Sequence, residues 1–206
     1  MEDTSRLNSA RRHLHEGRVA DGIRECVELS DQGSAEAPDY LGIIYLSGLG
    51  AHKDVVKAKN YFLLSHTRGY ALGTYHLAGV YHGESNITAA LELYKLVADK
   101  NPSAAYWIFR CLEKLAPCQK ELENESEKYL MQAVKLGHIE ALRALAIRTI
   151  KGRYGLRKVP DGISKFLGIV EATEESIRKR ERLKYIDSLH RWGFRLFYKP
   201  NRQPKQ

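Results

Sequence analysis

Four residues suited to stopping helices, Gly33, Gly69, Asn101 and Gly137, lie 36, 32 and 36 positions apart along this 206-residue chain. Four residues after each comes a small one (Ala37, Gly73, Ala105, Ala141), and four further on a large apolar one (Leu41, Leu77, Phe109, Leu145). Eleven residues before each stop the chain is again small, at Gly22, Ala58, Ala90 and Ser126. Bulky groups follow at helical spacing: Tyr61 and Phe62, Leu93 and Tyr94, Tyr129 and Leu130. A bundle around one core has no reason to keep this phase across four segments. A chain that repeats one helical hairpin does, because so small a unit cannot bury its apolar face alone and must stack on the next copy.

The clearest copy runs from Ala37 to Gly69. Leu41, Ile44 and Tyr45 share a helical face. Gly42 stands among them, where glycine costs about 1 kcal/mol relative to alanine. Its presence predicts a second helix packed so closely that a Cβ would not fit. Gly48 and Gly50 stop the first helix and turn the chain. Asp54 is placed to cap the second helix, which carries Ala58, Tyr61, Phe62 and Ser65 on its buried side. Arg68 and Gly69 form a basic last turn and stop, and Pro38 falls in a first turn, where its missing N–H is harmless.

The run LGIIYLSGLG, followed by KDVVKAKNYF and a closing Gly69, resembles a Sel1-like repeat, a tetratricopeptide-type unit with a glycine-bearing loop between its helices. The next copy keeps Leu77, Ala78, Tyr81, Ala90 and Tyr94 with a shortened loop. The third carries Arg110 at the glycine position and a long acidic loop. The fourth keeps ALRALA and Gly152 with an irregular second helix. The resemblance covers residues 5–172. It implies an all-α fold, a right-handed α/α superhelix of about four to five hairpins, used for protein–protein contact and generally without catalytic activity. The divisions expected are a worn cap repeat at 5–33 and repeats at 34–69, 70–101, 102–137 and 138–173. A basic amphipathic capping helix at 174–198 and a disordered tail at 199–206 complete the expected layout. In the cap repeat, Ala10, Leu14 and Val19 supply a short first helix, Glu16–Arg18 a turn, and Gly22 to Leu29 the second helix.

No stretch approaches the roughly 20 apolar residues of a membrane span. The opening segment MEDTSRLNSARRHLHEG is charged and lacks an apolar signal core, so it reads as mature and cytoplasmic. Three cysteines without CxxC spacing, Cys26, Cys111 and Cys118, fit a reducing compartment. Pro117 ends the preceding helix near Leu115 or Ala116. The acidic run from Lys120 to Glu127 reads as a solvated loop and helix start. Residues 178–206 hold ten Lys or Arg and two acids, a net charge of +8 that equals the whole chain's. The basicity is therefore a property of the C-terminal end. There Leu183, Ile186, Leu189 and Phe197 form an apolar stripe that covers the last repeat.

Catalytic chemistry finds little support. His13 and His15 sit two apart, which points them to different sides of a helix, and no histidine shows metal-ligand spacing. Gly48-Leu49-Gly50 lacks the later glycine and lysine of a phosphate loop. No nucleophile elbow is present, and Cys111 reads as packing. No enzyme activity, metal or cofactor is expected.

On a tetratricopeptide-like frame, the resemblance places Asp39, Tyr75, Trp107 and Arg143 at one position of successive first helices, with Leu46, His82, Lys114 and Ile150 in a parallel row. Such rows line the concave groove. With Lys151 they would offer aromatic shelves and then a positive end, suited to a protein or peptide with an apolar segment followed by acidic residues or a free carboxylate. Packing of Tyr75 and Trp107 between repeats is the competing reading. The leading function is a cytoplasmic scaffold or adaptor, by analogy in a bacterial signalling, envelope or exopolysaccharide system. The alternative is nucleic-acid binding through a basic surface comprising Arg148, Arg153, Arg157, Lys158, Arg178, Lys179, Arg180, Arg182 and Lys184. A third reading attaches the same C-terminal region to anionic lipid or polysaccharide.

Overall fold

The computed structural model describes residues 2–48, 51–115, 120–151, 160–162, 164 and 168. Among them are nine α-helices and no strand: α1 (Glu2–His15), α2 (Val19–Asp31), α3 (Ala37–Ser47), α4 (Val55–Thr67), α5 (Ala71–Gly83), α6 (Ile87–Val97), α7 (Pro102–Leu115), α8 (Lys120–Lys135) and α9 (Ile139–Ile150). They fall into two compact units, the first running to Ala90 and the second starting at Leu91.

In the first unit α1 packs on α2, α2 on α3, α3 on α4 and α4 on α5, and α3 also meets α5. Leu41, Ile44, Ala58 and Phe62 are among its most buried side chains. A methyl group at Gly42 would drive into the Phe62 ring, and one at Gly73 into the Ser65 side chain. Both glycines are therefore required by proximity: α3 and α4 touch where Gly42 leaves room, and α4 and α5 touch where Gly73 does. In the second unit α7 packs on α8 and α8 on α9. Gly162 repeats the device there, since a Cβ would lie 2.8 Å from Cβ of Thr149 on α9.

Close approach brings polar groups into reach. Ser65 Oγ donates to the Ala35 carbonyl at 2.7 Å. Arg68 Nη1 donates to the carbonyls of Ser30 and Ser34, at 2.9 and 2.8 Å. These carbonyls lie at or just beyond the end of α2, where the last C=O groups have no intrahelical donor. One arginine from the second hairpin thus completes the helix end of the first. In the second unit Gln132 Nε2 on α8 donates to the Ala98 carbonyl just beyond α6 at 3.1 Å.

Gly33, Gly69 and Gly137 all turn the chain with φ between +81° and +95°. Asn101 works differently: its Oδ1 accepts from the Ser103 and Ala104 amides at 3.0 and 3.1 Å, so it begins α7 and is not a left-handed stop. Asp54 caps α4 through the Lys57 amide at 2.9 Å. At the N-terminus the first helix reaches back to Glu2 and ends at His15, so Val19 opens α2 and does not belong to α1. The acidic run begins inside α8, where Glu125 pairs with Lys95 at 3.0 Å and Glu127 with Arg148.

His138 caps α9 by accepting from the Ala141 amide at 3.2 Å through Nδ1, and its ring stacks on Tyr106 with centroids 4.6 Å apart. A ring nitrogen accepts only while the imidazole is neutral. Burial holds it so, lowering its pKa from 6.5 to about 4. Between these values the unfolded chain binds more protons than the native one, so stability falls as pH drops through that window.

Gly42→Ala should lower stability by about 1–3 kcal/mol in urea unfolding, because overpacking against Phe62 outweighs the gain in helix propensity; an unchanged midpoint would contradict the close contact. His138→Asn keeps a capping side chain but removes the titrating ring. Its unfolding midpoint should fall less than that of the unaltered protein between pH 7 and pH 5, and parallel losses would mean that His138 is not the group responsible.

Candidate interaction surface

The four residues of the first groove row occupy different environments. Asp39 on α3 is 1% exposed, and its Oδ1 lies 2.7 Å from Nδ1 of His76 on α5. The imidazole donates to the carboxylate inside the packed interface between the two helices, while Oδ2 has no hydrogen-bond partner among the described residues. Phe62 and Tyr75 pack against the His76 ring with centroids 5.3 and 5.4 Å away. Asp39 is thus a core group that ties one first helix to the next, and Tyr75 is 8% exposed in the same cluster. Of the parallel row in this unit, Leu46 is buried and His82 half-buried.

In the second unit Trp107 is 9% exposed, stacked on Tyr94 at 6.4 Å and edge-on to Tyr106. Lys114 is exposed on the last turn of α7. Arg143 is exposed on α9, with Glu140 at 3.9 Å, too far and too wet for a strong pair. Lys151 is exposed at the end of α9. Ile139, Arg143, Ile147 and Ile150 recur at steps of four, four and three, which places them along one side of that helix. All four face solvent.

Arg148 behaves unlike the surface cation expected of it. Its guanidinium is 2.6 Å from Glu113 and 2.5 Å from Glu127, lies 4.7 Å from the Phe109 ring centroid, and is only 14% exposed. Two carboxylates cancel its charge and an aromatic face covers it. The remaining members of the basic set, Arg153, Arg157, Lys158, Arg178, Lys179, Arg180, Arg182 and Lys184, lie outside the described residues, as do the expected capping helix and tail.

The reactive groups are quiet. Cys26 and Cys111 are unbridged and buried, and desolvation raises their pKa to about 12 and about 11. Such thiols are poor nucleophiles. Burial likewise raises the Tyr40 and Tyr70 hydroxyls, with Glu36 adding to the shift. Among the described residues no three His, Cys, Asp or Glu side chains are grouped to hold a metal ion, and no helix is long and apolar enough to cross a membrane.

Sequence reasoning missed a set of tyrosine–lysine contacts. Tyr45 and Tyr61 stack with centroids 5.6 Å apart and planes at 9°, and Lys57 Nζ lies 5.1 Å from the Tyr45 ring centroid. Lys59 Nζ lies 4.2 Å from the Tyr81 centroid. The available signal was that Tyr45 and Tyr81 stand 36 residues apart, the spacing of the stops.

No family model matches the sequence, and no curated protein matches it. Solved structures do. A Sel1 repeat protein from Oxalobacter formigenes superposes with a TM-score of 0.68 at 15% identity, covering 83% of this chain and 73% of that one. The protein c5321, a protective antigen present in uropathogenic Escherichia coli strains and displaying an SLR fold, superposes with a TM-score of 0.63 at 19% identity over 85% of this chain. The match spans only 40% of that antigen's length. At these identities the likeness concerns the path of the backbone, and it agrees with the helical hairpins and their close contacts: this chain has the fold of the Sel1-like repeat proteins.

Proposed function

We propose that this chain is a non-catalytic scaffold or adaptor that holds a protein or peptide partner against the open surface of its helices. The observation that carries the reading is the solvent face of α9. Ile139, Ile147 and Ile150 are 52%, 36% and 37% exposed, and the Arg143 side chain between them is 55% exposed. Lys151 follows at the helix end, and Lys114 adds another exposed cation within the same unit. Single exposed isoleucines need no explanation, but a row of them interrupted by cations favours a ligand that brings both apolar side chains and carboxylates. The partner is therefore a segment with an apolar stretch and an acidic or free-carboxylate end. Arg143 and Lys151 engage the charge, and the isoleucines receive the apolar part.

The groove proposal shifts accordingly from the aromatic row to the exposed residues of the first helices. Trp107 and Tyr75 each serve as packing within their own unit, and Asp39 likewise acts through packing. The cancelled charge of Arg148 takes one cation from the rival nucleic-acid reading and favours a protein partner. Two unbridged buried thiols are compatible with a reducing cytoplasm. A place in a bacterial signalling, envelope or exopolysaccharide system is part of the proposal, by analogy with proteins of similar repeats.

Capture of partners from native lysate, quantified beside thermal unfolding, tests the reading. The double charge reversal Arg143→Glu with Lys151→Glu should leave stability within about 0.5 kcal/mol, as surface changes do, and reduce specific capture at least tenfold. Trp107→Ala should lower stability by about 3 kcal/mol or more, the cost of emptying a buried indole site. Full capture by the folded double variant would overturn the assignment of α9.

A further inference from the structure

We propose that the mouth of the α3–α4 hairpin is a second docking patch, separate from α9, that accepts an acidic segment of a partner protein. It rests on the scaffold reading above but uses a different unit and different residues. Helix α4 sends two lysines, two positions apart, to two tyrosines on opposite neighbours. Lys59 lies over Tyr81 of α5, and Lys57 lies over Tyr45 of α3. Tyr45 and Tyr81 stand 36 residues apart, each near the end of a first helix.

The two arrangements differ in their anion. Lys59 Nζ is 2.6 Å from Glu84 Oε2, so ammonium, ring and carboxylate make a closed triad. Glu84 is the residue that ends α5. The residue that ends α3 is Gly48, with φ +74° and no side chain to offer. Lys57 accordingly has a ring beneath it and no carboxylate within ion-pair distance among the described residues. The nearest acid in sequence, Asp54, already accepts from the Lys57 amide as the helix cap. The internal triad is thus a template for what completes the open one: a carboxylate delivered from outside, resting against the ammonium above a tyrosine face.

The surroundings suit such a segment. Lys57 and Lys53 are exposed and outnumber the single Asp54 carboxylate between them, which leaves the mouth with a net positive charge. Val55 and Val56 are 40% and 71% exposed beside them, an apolar step for a neighbouring side chain of the same segment. Tyr61 stacks on Tyr45, which fixes the orientation of the ring that Lys57 meets. A rigid aromatic floor under a cation reduces the ordering needed when a carboxylate arrives. The occupant is therefore a peptide segment with two acids flanking an aliphatic residue, one acid for Lys57 and the other for Lys53.

Fluorescence anisotropy at low ionic strength, with a short fluorescein-labelled peptide built of Glu and Leu, tests this. The intact protein should bind it saturably, and a peptide with every Glu replaced by Gln should not bind. Lys57→Gln, which keeps an uncharged stem, should weaken binding about tenfold, and Lys53→Gln about threefold. Lys135→Gln, an exposed lysine of α8, should leave it unchanged. Far-ultraviolet circular dichroism of each variant confirms the fold. Absent saturation, equal binding by the Gln peptide, or the same loss in Lys135→Gln as in Lys57→Gln would overturn the patch, the last by showing diffuse charge attraction. The patch and the α9 reading fail separately. If Lys57→Gln keeps the peptide while the α9 double reversal loses its lysate partner, only the patch is wrong. If the peptide is lost with Lys57→Gln and the double reversal keeps its partner, only the α9 assignment is wrong.

Discussion

The hairpins of this protein hold together because helices touch where side chains have been reduced to a hydrogen or a hydroxyl. Phe62 lies against the bare Cα of Gly42, and Ser65 against that of Gly73. Packed helices ordinarily stand about 8–10 Å apart, the value depending on the side chains between them. At the short end of that range, side chains of one hairpin reach the backbone of another. Ser65 then meets the Ala35 carbonyl, and Arg68 meets the open carbonyls around the end of α2. Larger residues at the glycines would separate the helices and break these links together. The apolar contacts and polar ties are therefore two consequences of one spacing.

Much of that spacing was legible in the sequence. Gly42 inside a helix carries a propensity cost, and the only compensation available is a close neighbour, which proves to be Phe62. Gly33, Gly69 and Gly137 adopt the left-handed turn that their positions required, and Asp54 caps the helix that it precedes. What failed depended on direction or distance in sequence. Placing Asp39 in a groove took helical phase from a general frame, and phase cannot say that a histidine 37 residues later will claim the carboxylate inside the core. Arg148 looked like one of a basic series, yet Glu113 and Glu127, 35 and 21 residues away, neutralise it. Asn101 shares the phase of the glycine stops, but its side chain accepts hydrogen bonds and so starts a helix. Composition and periodicity register types and intervals; they do not register which partner a charged group will find.

The interior and the surface divide the chemistry between them. Inside, titratable groups are paired, as Asp39 is with His76, or held neutral by burial, as His138 and the two thiols are. These groups fix geometry and have little capacity left for reaction. Outside, α9 presents isoleucines between cations, and α4 presents lysines set over tyrosine rings. The same hairpin plan thus carries different surface chemistry in each unit, while the glycine contacts keep the backbone alike.

Native-state hydrogen exchange resolved by residue tests the central claim most directly, since stacked hairpins and a single core open in different ways. Nearest-neighbour stacking predicts a graded profile. The amides of α3 and α4, held by hairpins on both sides, should open at the highest free energies, and those of α1 should open at lower ones without exposing α3. One opening free energy shared by α1 through α5, with no gradation along the chain, would mean that the helices fold around a common centre and would contradict the account.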